Sequence, residues 1–206
     1  VKWTGDGIQG SKVPHGLSAA PELIIMKDLS ATNHWVVGNS ESGWTKAMHL
    51  DLTNADNASD LYWDDTAPTS TVFSLGHHST AYNVLGNEYI AYCFHSVSGY
   101  SKIGSYTGTA GALTVTTGFQ PDFLMVKNAT TAGYSWYILD SVRGGSGGYM
   151  NRFLAAEDSQ AETEVTNGDI DVTFTSTGFQ YASTMSSTDG FNKSGDTYIY
   201  MAFKIN

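Results

Sequence analysis

Apolar positions in this chain fall into short runs of two kinds. Leu23-Ile24-Ile25-Met26 and Phe123-Leu124-Met125-Val126 are unbroken, each held between a proline (Pro21, Pro121) and a lysine (Lys27, Lys127). A run so short and so bounded predicts a strand covered on both faces rather than a helix. The last run alternates. Ile199, Met201, Phe203 and Ile205 lie on one face of an extended segment, and Tyr198, Tyr200, Ala202 and Lys204 on the other. Its earlier counterpart puts Ile90, Tyr92 and Phe94 on the first face and Tyr89, Ala91 and Cys93 on the second. Successive strand residues point to opposite faces. Both faces here are apolar or small, so these strands are predicted to be central in a sheet rather than at its edge.

The runs occur twice, in the same order. Lys127 follows Lys27 by 100 residues, Trp136 follows Trp35 by 101, and Phe203 follows Phe94 by 109. This is the pattern of an internal duplication with an insertion of about nine residues in the second copy. Each half opens on an aromatic residue followed by Thr-Gly (Trp3-Thr4-Gly5, Tyr106-Thr107-Gly108) and continues through polar turns into Trp35-Val36-Val37 or Trp136-Tyr137-Ile138-Leu139. These segments read as hairpin partners of the preceding strands. The halves then diverge, through Trp44 and Met48 in one and the glycine-rich stretch 144–148 in the other. Helical turns are expected only at 54–60 and 155–164. The pattern predicts an all-β fold, an antiparallel β-sandwich of the jelly-roll or lectin-like kind built from an internal duplication. Residues 1–103 form the first repeat and 104–206 the second, packed intimately or interleaved as one sandwich.

Composition narrows the function classes. Among 206 residues only 15% are charged, while glycine (22) and aromatics (13%) are abundant, a mix that suits tight turns and strands better than helices. The formal net charge of −10 and the absence of a basic patch argue against nucleic acid as a partner. No apolar run approaches the length of a membrane span, and no signal peptide is visible. A single cysteine, Cys93, excludes an internal disulfide and reads as a small buried hydrophobe.

Candidate chemistry is sparse. His77-His78 cannot both face one ion from a strand, and nothing is spaced to complete a zinc set with them. The adjacent carboxylates Asp64-Asp65 offer hard oxygens of the kind calcium takes, as does the pair Asp169 and Asp171, so Ca2+ is the one cofactor considered. No cleft-facing pair of carboxylates and no nucleophile elbow is evident, so the expectation is a non-enzyme. Aromatics beside polar, glycine-rich loops are the stronger lead, since a ring stacks on the CH face of a sugar while neighbouring polar groups bond its hydroxyls. Trp35 and Trp136 occur in both copies and read as core. Trp44, Trp63, Tyr134 and Tyr149 are the candidate glycan-binding residues.

Taken together, Val13-Pro14-His15-Gly16-Leu17, the stretch Tyr62-Trp63-Asp64-Asp65-Thr66-Ala67-Pro68 that leads into Val72-Phe73-Ser74-Leu75-Gly76, and the two Tyr-Ile strands resemble a duplicated β-repeat family of tailed, largely marine bacteriophage structural proteins. The resemblance spans essentially the whole chain. It implies a virion location, in a tail fibre, tail tip or capsid surface, with other virion proteins as partners and a homo-oligomer, trimeric in a fibre. It carries no catalytic motif. A start at Val1 rather than Met agrees with a module cut from a longer fibre. The expected role is host recognition, with loops 45–68 and 143–164 contacting a host surface glycan. The alternatives are a capsid decoration or tail protein that binds only virion proteins, and a glycan depolymerase.

Overall fold

The structure, a computed structural model, describes residues 1–76, 82–144, 149–165, 171–182 and 190–205. The chain divides into two compact units, Val1–His95 and Ser96–Asn206. The boundary expected after residue 103 falls inside a strand of the second unit.

The first unit contains β1 (Lys2–Thr4), β2 (Lys12–Pro14), β3 (Leu23–Asp28), β4 (Val36–Asn39), β5 (Lys46–His49), β6 (Asn57–Ala58), α1 (Asp60–Trp63), β7 (Val72–Ser74) and β8 (Glu88–Phe94). Its main sheet has the order β1-β8-β3-β4-β5-β6, and β2 pairs with β7 as a separate ribbon; every pairing is antiparallel. Ile24 and Met26 of β3, Val36 of β4 and Ala91 of β8 turn one sheet face toward Val13 and Phe73 of the ribbon. Trp44 and Trp63 close the same core. The layering is that of a sandwich, in which each sheet covers the apolar face of the other.

The second unit contains β9 (Ser101–Thr107), β10 (Leu113–Thr116), β11 (Phe123–Asn128), β12 (Trp136–Asp140), β13 (Arg152–Ala155), β14 (Thr163–Glu164), β15 (Val172–Thr175), β16 (Gly178–Tyr181) and β17 (Thr197–Phe203). Its main sheet runs β9-β17-β11-β12-β13-β14, facing a three-stranded sheet β10-β16-β15. The described sheets draw all their strands from one unit or the other. Leu124, Val126, Leu139, Tyr198, Tyr200 and Ala202 pack on Val115, Phe174, Phe179 and Tyr181.

The strand order and register of the first unit recur in the second. Leu23 pairs with Phe94 and Asn39, and Phe123 pairs with Phe203 and Asp140. β8 lies between β1 and β3, and β17 between β9 and β11, the central placement read from their two-sided apolar pattern. Tyr92 nevertheless stands 46% exposed, so in β8 only the Tyr89 and Ala91 face is sealed.

Polar groups repeat as well. Asn83 accepts from the Asp6 amide and donates to the Ile8 carbonyl; Asn192 accepts from Thr109 and donates to Gly111. Tyr89 and Tyr198 hydroxyls accept from the amides of Val84 and Lys193. Gly5 and Gly108 let these turns close, since a Cβ there would stand 2.2 Å from the Val84 oxygen or 2.1 Å from that of Lys193. At one such place the chemistry is exchanged. Asn87 donates to the buried Asp28 carboxylate at 3.1 Å, whereas in the second unit Asn128 donates to Asp196 at 2.8 Å. Each site keeps one carboxylate and one amide.

The cores are filled differently. Gly38 of β4 occupies the register position of Leu139 in β12. A Cβ on Gly38 would lie 2.4–2.7 Å from the Trp63 indole, so the indole fills the volume that Leu139 fills for itself. The expected helical turn at 54–60 is displaced: β6 occupies 57–58, and α1 follows at Asp60, capped by Ser59, whose side chain accepts from the Leu61 amide. The segment 155–164 forms a turn and β14 rather than a helix.

Candidate functional site

The second unit carries a cleft where β12, β13 and β14 meet the connection after β13. Antiparallel pairing sets Tyr137 opposite Ala155 and Phe153 opposite Thr163, which brings alternate residues of three strands onto one face. With Ser135, Asp158, Gln160 and Ala161 they line a cleft of about 230 Å³. Its apolar wall is two rings: Tyr137 meets Phe153 edge to face at 5.0 Å and stacks on Phe191 at 4.2 Å. Its rim is polar and exposed. Asp158 donates its amide to the Ala155 carbonyl at 3.3 Å, and its Oδ1 accepts from the Gln160 amide at 3.1 Å, so a tight turn presents both side chains beside the rings.

Behind the cleft the backbone is pinned by ionisable groups. Glu157 accepts from the Trp136 amide at 3.1 Å. Lys127, 0% exposed, donates to the Tyr134 carbonyl; burial pushes its ammonium down to about 8, opposed in part by Glu157. On the flank, Arg143 binds Asp140 at 2.5 Å and Glu162 at 3.4 Å, and Arg152 binds Glu164 at 2.9 Å.

The corresponding face of the first unit carries different side chains. By register, His34, Val36, Ala47 and His49 stand where the second unit has Ser135, Tyr137, Phe153 and Ala155. His34 Nδ1 is 3.0 Å from Asp51, which also accepts from the Trp35 amide as Glu157 does from that of Trp136. His49 Nε2 lies 3.3 Å from the Tyr62 hydroxyl, and the Tyr62 ring packs on Tyr82 at 4.7 Å. Burial, then the neighbouring His34, hold the His49 imidazole below its usual range, with Asp51 opposing. Burial raises both tyrosines. Val36 and Ala47 are buried, His49 and Tyr62 are half-buried, and His34 stays exposed.

The residues expected to bind a glycan are scattered. Trp44 is 8% exposed and Trp63 1%, packed edge to face at 5.3 Å. Neither offers a ring face to a sugar, and both belong to the core. Tyr134 is half-buried beside Gly190 and Tyr137, directly before the cleft residue Ser135. Tyr149 is 37% exposed at the edge of the second unit's glycine-rich stretch. Trp136 is buried, and Trp35 is half-buried, stacked on Tyr92 at 6.4 Å.

Asp64 and Asp65, the candidate calcium ligands, both adopt left-handed backbone (φ 54° and 46°) after α1. Asp64 Oδ1 accepts from the Gln9 amide group at 2.8 Å, so it serves as a structural acceptor there. Among the described residues no group of three or more His, Cys, Asp or Glu side chains could hold a metal ion. His77, His78 and Asp169 lie outside the described residues, as does 145–148 of the glycine-rich stretch. No helix among the described residues is long and apolar enough to cross a membrane.

Asp158, Gln160 and Thr163 were not singled out by sequence, although loop 143–164 contains them. The signal for their convergence is strand pairing, which spacing alone does not express. A family model described as a domain of unknown function (DUF7483) matches residues 1–206. No curated protein and no solved structure matches the chain.

Proposed function

We propose that this chain, which belongs to the DUF7483 family, is a structural module of a bacteriophage virion that binds a host surface glycan through the cleft of its second unit. The cleft carries this reading. Two aromatic rings flanked by Ser135, Asp158, Gln160 and Thr163 combine a stacking wall with hydroxyl-bonding groups, the chemistry that sugar recognition requires. Among the described residues one carboxylate lines it, which suits binding better than hydrolysis by a carboxylate pair. A site of this size on an exposed rim binds weakly, and an oligomer on a particle converts weak binding into avidity.

A glycan array probed with the intact chain tests the reading. Asp158→Ala and Gln160→Ala are each expected to weaken the strongest hits about tenfold, Gln160→Ala with unfolding unchanged and Asp158→Ala at a cost of about 1 kcal/mol from the lost turn bond to the Gln160 amide. An array with no saccharide retained overturns it. The alternative, a capsid or tail component that binds only virion proteins, is favoured by the exposed Tyr92, Tyr100 and Val142. Antibody label at fibre ends in electron micrographs of virions supports the glycan reading, and label over the head supports the alternative.

A further inference from the structure

From the charges around the cleft we infer that its ligand is a neutral or amine-bearing saccharide and that uronic and other acidic sugars are rejected. The inference rests on the glycan reading. Among the described residues Asp158 is the one charged residue of the lining, and it stands on the exposed rim. Its Oδ1 is held by the Gln160 amide, while Oδ2 has no partner among the described residues. That oxygen can accept from a sugar hydroxyl or an ammonium and can only repel a carboxylate.

Among the described residues no cation pairs with Asp158. The two guanidinium groups of this surface are already taken: Arg143 by Asp140 and Glu162, and Arg152 by Glu162 at 3.8 Å and Glu164 at 2.9 Å. Lys127 is buried with its ammonium on the Tyr134 carbonyl. Glu157, on the same turn, adds negative charge behind Ser135. A chain of net charge −10 reinforces the field at long range.

Two like charges about 5 Å apart at a protein surface differ from a neutral contact by roughly tenfold in affinity. The test is calorimetric titration of the intact chain with matched oligosaccharides of glucose, glucosamine and glucuronic acid, at low and high salt. The expected order is glucosamine at or above glucose, with glucuronic acid at least tenfold weaker. Asp158→Asn should bring the three within about threefold, and 1 M salt should shrink the wild-type spread in the same direction. Glucuronic acid binding as tightly as glucose overturns the inference and leaves the glycan reading standing. Absence of binding by all three, together with a blank array, overturns both.

Discussion

Replacing Asn87 by Asp would set a second carboxylate 3.1 Å from Asp28, a buried group that already accepts from Ser30, Ala31 and Asn33. Two charges at that distance repel by about 5 kcal/mol at an effective dielectric of ~20. Proton uptake limits the loss. Holding one ordinary Asp protonated at pH 7 costs about 4 kcal/mol, and at pH 5 about 1.5 kcal/mol. Asn87 is half-buried, which lowers both figures, so the expected destabilisation of the first unit is 2–4 kcal/mol at pH 7 and about 1 kcal/mol at pH 5. The folded variant holds a proton that the unfolded chain has released, so its stability falls as pH rises from 5 to 7. The double variant Asp28→Asn with Asn87→Asp restores one carboxylate and one amide, as in Asn128 and Asp196, and should recover part of the loss, since the Asn33 amide group then loses its acceptor at residue 28. Urea unfolding of the intact chain at both pH values, for wild type, each single variant and the double, measures the coupling. A single variant within about 0.5 kcal/mol of wild type at pH 7, or a double variant no better than the single, would refute the equivalence of the two sites.

Further outcomes follow from the same packing. Gly38→Ala forces a methyl into the Trp63 indole and should destabilise by about 2–3 kcal/mol, while Gly111→Ala, which meets open space, should stay within about 0.5 kcal/mol; paired melts check both. Burial of Lys127 lowers its folded pKa, so the unfolded chain binds more protons between pH 8 and 10.5 and stability rises with pH in that window. Wild type should gain about 2 kcal/mol over Lys127→Met between pH 8 and 10, read by urea titration. Burial pushes the Cys93 thiol up to about 11, so at pH 8 alkylation of the folded chain should be about a hundredfold slower than of the unfolded chain, measured by mass spectrometry.

What the amino-acid order alone determined is the strand framework. Unbroken and alternating apolar runs survive any plausible context because burial of a pleated surface depends on period and not on partners. Leu23–Met26, Phe123–Val126 and the two Tyr-Ile strands are therefore legible, as is their repetition in order. The buried polar signature was not read from sequence: Tyr82-Asn83 with Gly86-Asn87, and Phe191-Asn192 with Gly195-Asp196, stand at like spacing before the closing strands, but only contacts with Asp28 and Asn128 show why. Tertiary structure decided which aromatic rings face solvent. Trp44 and Trp63 look like copy-specific surface rings until Gly38 opposite them is seen to be the missing volume, because burial is a property of neighbours across the core. It also decided the cleft, since Ser135, Phe153, Asp158 and Thr163 become neighbours through antiparallel register between strands, whereas in the first unit the same register places Val36, Ala47 and His49 there and sets His49 against Tyr62.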